Sequence, residues 1–243
     1  MTTTQTTVMK FGGTSVEDAR AFERVAALVR AERRTNPVVV VVSAMSRFTD
    51  ALLAAFERAA AGEGEGAAAA LEEHFARHVE VLRTLLPETK EPSEVEAALS
   101  EFDNVLADAR AHIGPALRRA AGGGRPLPPL QDLVVSFGEQ LSSRLLSFVL
   151  EARGVPARQV DARRCILTDD EHGRAAPLKE ETERHTREQL EPLLAEGLTP
   201  VLGGFIASSA ATGETTTLGR GGSDYTAGLV GAALRSREIQ IWT

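Results

Sequence analysis

Five valines stand in a row at Val38–Val42, and few local sequences constrain a fold more tightly. A strand with one wet face alternates apolar and polar residues. A run of β-branched residues without alternation suits a strand covered on both faces, as in the middle of a parallel sheet. The chain before it fits that setting. Val8–Phe11 reads as a short strand, broken by Gly12 and Gly13. Thr14 or Ser15 can cap a following helix, with Ser15 and Asp18 at capping-box spacing. Phe22, Val25, Ala26 and Val29 then recur at i, i+3, i+4, i+7, and Asn36-Pro37 closes the connection. Strand, Gly turn, helix, buried strand is the rhythm of a parallel α/β sheet. The fold class expected is α/β, a three-layer αβα sandwich with a mainly parallel central sheet.

Residues 49–150 read as mostly helical. Leu71, Phe75, His78, Val79, Leu82, Leu85 and Leu86 form one stripe, and Val95, Ala98, Leu99, Phe102, Val105, Leu106 and Ala109 form another. Residues 62–70 are of low complexity and read as a flexible turn running into a helix start. Residues 122–129 (GGGRPLPP) read as a break. Residues 61–129 are therefore taken as a helical insertion on one α/β domain, 1–243. Leu130, Leu133, Val134, Phe137, Leu141, Leu145 and Phe148 restart a helical stripe through Gly138. Strands are expected at 157–160 and 199–208, the latter interrupted by Gly203 and Gly204. A loop or hairpin is expected at 165–177, an Ala/Gly-rich helix at 223–234, and a strand where Ile239, Ile241 and Thr243 alternate with Gln240 and Trp242.

Composition narrows the class of partner. The 243 residues carry 27 basic and 34 acidic side chains, a net charge of −7. That balance argues against non-specific binding to nucleic acid or anionic membranes. Cys165 is the one cysteine, so no intrachain disulfide forms and a reducing compartment is the simpler setting. Residues 1–7 are polar and resemble no signal peptide. The Val38–Val42 run is far shorter than the ~20 residues of a bilayer span. A soluble, cytoplasmic chain is expected.

Two Gly-rich turns carry the chemistry. Lys10-Phe11-Gly12-Gly13-Thr14-Ser15 ends a strand and opens a helix. The glycines let backbone approach a ligand, free N–H groups and the helix dipole favour an anion, and Lys10 adds a full charge. It lacks the Walker A spacing. Thr215–Asp224 (TTTLGRGGSD) likewise runs into a helix N-terminus, with Arg220 as a planar fork for a carboxylate or phosphate and three hydroxyls as further donors. Simple capping explains the pair less well than it explains either turn alone. Ser43–Asp50 (SAMSRFTD) follows the valine strand, where parallel sheets place ligands, although Thr49 also reads as a helix cap. In Ser136–Gln140 (SFGEQ), helical periodicity puts Glu139 away from the apolar stripe, as a solvated carboxylate.

Together, KFGGTS, VVSAMSRFTDAL, FGEQLSS, GFIAS, TTTLGRGGSDYTA and IWT resemble, in order and over essentially the whole chain, the aspartate kinases of the amino-acid-kinase superfamily. The long helical segment resembles the branch with an enlarged insertion. The resemblance implies transfer of the γ-phosphoryl group of ATP, with Mg2+ carried by the nucleotide, to the β-carboxylate of L-aspartate. That reaction opens lysine, threonine and methionine synthesis. It implies Lys10 and Asp224 as catalytic residues, the former stabilising phosphoryl oxygens and the latter orienting it. Lys10, Phe11, Gly12, Gly13 and Thr243 would contact the nucleotide. Ser43, Thr49, Glu139, Arg220, Gly221, Gly222 and Ser223 would contact aspartate, Arg220 through a carboxylate and Glu139 through the ammonium. No protein-built metal cage is expected.

In the family, IWT is followed by Asp, further nucleotide-binding chain and regulatory domains. The expectation is thus an amino-terminal, aspartate-binding portion of a homo-oligomeric kinase, with an incomplete ATP site. A non-catalytic aspartate-binding piece and a relative acting on glutamate or a nucleotide are the alternatives. Arg47 and Asp50 depart from the family's pattern; Arg47 either assists an anionic ligand or points outward. His78, the other histidines, Cys165, Tyr225 and Trp242 read as structural.

Overall fold

The computed structural model describes residues 6–123 and 127–243. The polar start at 1–5 and residues 124–126 of the expected break lie outside them. In chain order the elements are β1 (Thr7–Phe11), α1 (Ala19–Glu32), β2 (Val38–Val42), α2 (Phe48–Ala60), α3 (Gly64–Ala69), α4 (Glu72–Leu85), α5 (Pro92–Ala121), α6 (Leu127–Ala152), β3 (Ala157–Val160) and β4 (Leu167–Thr168). They continue with α7 (Lys179–Ala195), β5 (Thr199–Gly203), β6 (Ile206–Ser209), β7 (Thr215–Thr217), α8 (Gly222–Ala233) and β8 (Glu238–Trp242).

Five parallel strands form the central sheet in the order β3-β5-β2-β1-β8. The valine strand lies at its centre, and all five valines are fully buried. Its side chains alternate between two cores. Val38, Val40 and Val42 join Met9 and Phe11 under the α1 and α6 layer, while Val39 and Val41 join Val8, Leu190 and Val230 under α7 and α8. Both faces are covered, so both had to be apolar. Since every strand runs the same way, the turns after β1, β2 and β5 emerge at one edge of the sheet. A smaller sheet, β4-β6-β7, pairs β6 with β7 antiparallel.

The helical insertion packs as α3, α4 and α5 against α2 and α6. Residues 64–69 form a short helix rather than a flexible turn: Gly64 packs close to Ala121, and Ala67 is fully buried. The capping expectation near Ser15 also shifts. Residues 13–16 form a 3-10 turn, and α1 begins later with Asp18 as N-cap, its carboxylate accepting from Ala21 N–H at 2.8 Å. The segment read as one interrupted strand at 199–208 is two strands in two different sheets. Helix α7 carries few apolar residues and gave no stripe to find; it buries only Thr182, Thr186 and Leu190.

Helix α6 departs most from its periodicity. It is buried on nearly all sides, packed on β5, α2 and α5. By length and mean hydropathy (1.2) it would suit a membrane span, but 78% of that window is buried inside this fold. A helix wrapped by sheet and helices has no wet face, so Glu139 is 4% exposed and not the solvated carboxylate its position on the wheel implied.

Candidate active site

A cleft of about 510 Å3 opens at the carboxyl edge of the sheet. It gathers residues from five distant segments: Lys10, Gly12 and Gly13 at and just after the end of β1; Ser43, Arg47 and Thr49 between β2 and the first turn of α2; Glu139 from α6; Phe205 after β5; and Gly221, Gly222, Ser223 and Asp224 at the start of α8. Thr243 also lines it. Of the residues singled out in the sequence, Phe11 and Arg220 lie outside the lining. Phe11 is fully buried and stacks on Trp242, ring centroids 6.2 Å apart. Arg220 is exposed between two left-handed glycines, Gly219 and Gly221, which themselves face the cleft.

Lys10 reaches the cleft by strand alternation. Met9 and Phe11 point into the α1/α6 core, so Lys10, with Val8, points to the face covered by α8. There its ammonium meets the Asp224 carboxylate at 2.7 Å. Asp224 sits in the first turn of α8, where a negative charge is favoured by the helix dipole. The first turn of α2 also faces the cleft through Thr49 and Asp50. Two helix N-termini thus bring unpaired N–H groups to one concavity, a favourable setting for anions.

Glu139 is the opposite kind of feature. One carboxylate oxygen accepts from Ala44 N–H at 3.2 Å; the other is buried and makes no hydrogen bond. Burial pushes its carboxyl up to about 8, against the lowering effect of the Ala44 N–H. Buried polar atoms are seldom left unpaired, and one facing a cleft is a vacant acceptor for a cationic donor.

Close backbone approach builds the walls. A Cβ on Gly138 would come within 2.9 Å of the Ala44 Cβ, and one on Gly204 within 2.6–2.7 Å of Ser223. Those glycines press α6 against the Ser43–Asp50 loop and β5 against α8. After Gly204, Phe205 takes a left-handed φ of 66°, its N–H held by Thr226 Oγ1 at 3.0 Å.

The three threonines expected to supply donors to a ligand are already engaged. Thr217 Oγ1 donates to Asp132 at 2.7 Å, Thr216 pairs with Thr168 at 2.7 Å, and Thr215 Oγ1 accepts from Arg163 at 3.1 Å. They lie in β7, buried, and do not line the cleft. Sequence reading also missed Asp132. It is 2% exposed and receives Thr217 Oγ1, Gly173 N–H and His172 Nδ1 at 2.7, 2.9 and 2.9 Å. This carboxylate ties α6 to β7, immediately before the Gly219–Asp224 turn.

His78 is packed against Phe48 and Phe102, with burial taking it down to about 4, and Cys165 is pushed up to about 12 by burial. Among the described residues no group of three or more His, Cys, Asp or Glu side chains is placed to hold a metal ion.

A doubly covered parallel sheet whose strand ends converge on a Lys–Asp pair, Gly-rich turns and helix N-termini defines an α/β protein with a cleft suited to an anionic ligand. The Amino acid kinase family model matches residues 5–243, and the chain belongs to that family. Among curated relatives, Lysine-sensitive aspartokinase 3 of Escherichia coli (strain K12) is 38% identical over 97% of this chain and 48% of its own length. Aspartokinase 1, chloroplastic, of Arabidopsis thaliana is 34% identical over 98% of this chain and 40% of its own. The chain thus spans less than half the length of these relatives. Among solved structures, E. coli aspartokinase III in complex with lysine and aspartate (T-state) matches with TM-score 0.83 at 34% identity, covering 98% of this chain and 49% of that one. The same enzyme in complex with aspartate and ADP (R-state) matches with TM-score 0.80 over the same shares.

Proposed function

We propose that this chain carries the aspartate-binding and phosphoryl-accepting part of an aspartate kinase, transferring the γ-phosphoryl group of ATP to the β-carboxylate of L-aspartate. The observation that carries this reading is the vacant, buried oxygen of Glu139 in the same cleft as the Lys10–Asp224 pair. An α-amino acid offers an ammonium to the first and an anionic nucleophile near the second. The relatives named above are aspartokinases, and two of the similar structures hold aspartate, one of them with ADP.

In the proposed reaction a β-carboxylate oxygen forms a bond to the γ-phosphorus as the bond to the bridging oxygen breaks. The electron pair leaves on the ADP phosphate, giving 4-phospho-L-aspartate. A carboxylate is already a nucleophile at neutral pH, so no proton has to be removed. Catalysis then rests on bringing two anions together and spreading charge. Lys10 and the N–H group of Gly13 would take the phosphoryl oxygens, the Gly12 N–H being engaged by the Trp242 carbonyl at 2.9 Å, and Asp224 would hold Lys10 in place. Glu139 would bind the ammonium, and Ser43, Thr49, Gly221, Gly222 and Ser223 would shape the aspartate wall. Arg220 would have to turn inward to clamp a carboxylate. Thr243 and the turn at Gly12 would border the nucleotide. Mg2+ would arrive on the nucleotide's phosphates, supplying charge neutralisation there.

Calorimetry with L-aspartate, L-glutamate and MgADP, paired with hydroxylamine trapping of any acyl phosphate formed from MgATP and L-aspartate, tests this. Binding of aspartate in preference to glutamate, abolished by Glu139→Ala, supports the reading. Uptake of glutamate or nucleotide without aspartate overturns it. Aspartate binding without acyl phosphate would favour a binding role for these 243 residues alone.

A further inference from the structure

Arg47 pays a conformational cost that nothing in the folded chain returns. It is a non-glycine residue at φ 68°, ψ −2°, in the left-handed region, and it precedes α2 without making a side-chain cap. That conformation is disfavoured for an L-residue, whose Cβ crowds the following carbonyl oxygen. The loop around it is fixed at four points. Ser43 carbonyl accepts from Ser142 Oγ at 2.7 Å, Ala44 N–H donates to Glu139, Ser46 carbonyl accepts from Arg77 Nη1 at 3.0 Å, and Phe48 N–H donates to Met45 carbonyl at 2.9 Å. A backbone so determined can hold a strained residue, and such strain gathers where a side chain must be aimed at a ligand.

The charges of the cleft indicate which ligand group. Its cationic lining side chains are Lys10 and Arg47. Lys10 is engaged with Asp224. Arg47 makes no hydrogen bond or ion pair from its guanidinium among the described residues, and Arg220 lies outside the lining. A dicarboxylic amino acid whose ammonium goes to Glu139 brings two carboxylates into the same cleft, which Arg47 lines without an ionic partner. We propose that Arg47 is a substrate-contacting residue that binds a carboxylate of the acceptor. This rests on the aspartate reading above. A planar, always-charged fork suits a carboxylate better than any other side chain.

Two substitutions separate the charge from the backbone. Arg47→Gly removes the guanidinium and relieves the φ strain; Arg47→Ala removes the guanidinium and keeps the strain. Both should weaken L-aspartate binding about tenfold by calorimetry while MgADP affinity holds. Arg47→Gly should melt about 2–4 °C above Arg47→Ala, the shift that roughly 1 kcal/mol gives in a chain of this size. Unchanged aspartate affinity in both variants, or a loss confined to MgADP, overturns the assignment while leaving the aspartate reading intact. A wild-type chain that binds no aspartate takes both down together.

Discussion

The Lys10 ammonium and the Asp224 carboxylate meet at 2.7 Å, yet their side chains are 8% and 53% exposed. The pair is therefore unequal. Removing Asp224 leaves a buried ammonium without its counter-charge, whereas removing Lys10 leaves a carboxylate that water can solvate. Asp224→Ala should lower the thermal midpoint more than Lys10→Met, which keeps most of the lysine stem. In turnover the order should reverse. On the proposed reaction Lys10→Met loses a charge directed at the phosphoryl oxygens, a loss of order 10^2–10^3-fold. Thermal denaturation and hydroxylamine trapping on both variants check the two orders independently.

Glu139 should couple aspartate binding to proton release. Burial holds its carboxyl at about 8, against an ordinary value of 4.5. Near pH 7 the free protein then carries Glu139 mostly protonated, and an ammonium in contact requires the carboxylate. Aspartate binding at pH 7 should release protons to buffer, up to about one per site, read from calorimetry in buffers of different ionisation enthalpy. Apparent affinity should rise between pH 6 and 8. The stability sign follows from the same shift. A folded-state value above the unfolded one favours the protonated form, so stability is fully present below about 4.5 and lost as pH rises through about 8. Glu139→Gln should abolish the proton release and flatten that part of the stability profile.

Gly204 should tolerate no side chain. A Cβ there would lie 2.6–2.7 Å from Ser223, whose Cα is among the atoms struck, so no rotamer relieves the clash. Gly204→Ala should displace the start of α8 or destabilise the fold by about 1–3 kcal/mol, the usual cost of overpacking. Denaturant melts read the stability. Fluorescence of Trp242, whose ring stacks on Phe11 beside the cleft, reads the displacement.

Much of the sheet was legible because its signals are local. Five valines have no alternative to a doubly covered strand, and a Gly pair between a strand and an amphipathic stripe marks a turn at the sheet edge. Helix α7 was not legible, because its buried face is made of threonines and one leucine, too polar to form a stripe. Glu139 was misjudged by periodicity for a related reason. The wheel assumes one wet face, and α6 has none. Motif resemblance drew attention to Glu139 where periodicity failed, whereas the engagement of Thr215–Thr217 inside β7 depends on Asp132 and Thr168, far away in the chain. No local pattern encodes such partners.

Asp132 should matter more than its absence from any motif implies. Its carboxylate is buried and satisfied by three donors from two other segments. Asp132→Ala strands the buried Thr217 Oγ1 and frees the part-buried Gly173 N–H, a loss of about 2–3 kcal/mol. Because β7 runs directly into the Gly219–Asp224 turn, amide exchange there should accelerate beyond what the global loss explains. Asp132→Asn, which keeps an acceptor, should recover part of both effects.

Arg77 joins the insertion to the cleft. From α4 its guanidinium donates to the Ser46 carbonyl at 3.0 Å and to the Glu17 carbonyl at 3.1 Å, one at the end of each loop that borders the Gly12–Gly13 turn. A fork can hold two carbonyls at a fixed spacing; the single ammonium of lysine cannot reproduce that geometry. The bonds are partly solvated, so global stability should change little. The loops are another matter, since the left-handed turn at Arg47 follows Ser46 directly and has no cap of its own. Arg77→Ala should raise amide exchange across residues 43–49 and 13–17 about fivefold, consistent with loss of roughly 1 kcal/mol of local restraint. Aspartate affinity should fall in parallel while the melting temperature stays within about 2 °C. Arg77→Lys should behave like Arg77→Ala in exchange. If lysine instead restored full protection, charge rather than the fork would be what holds the loops.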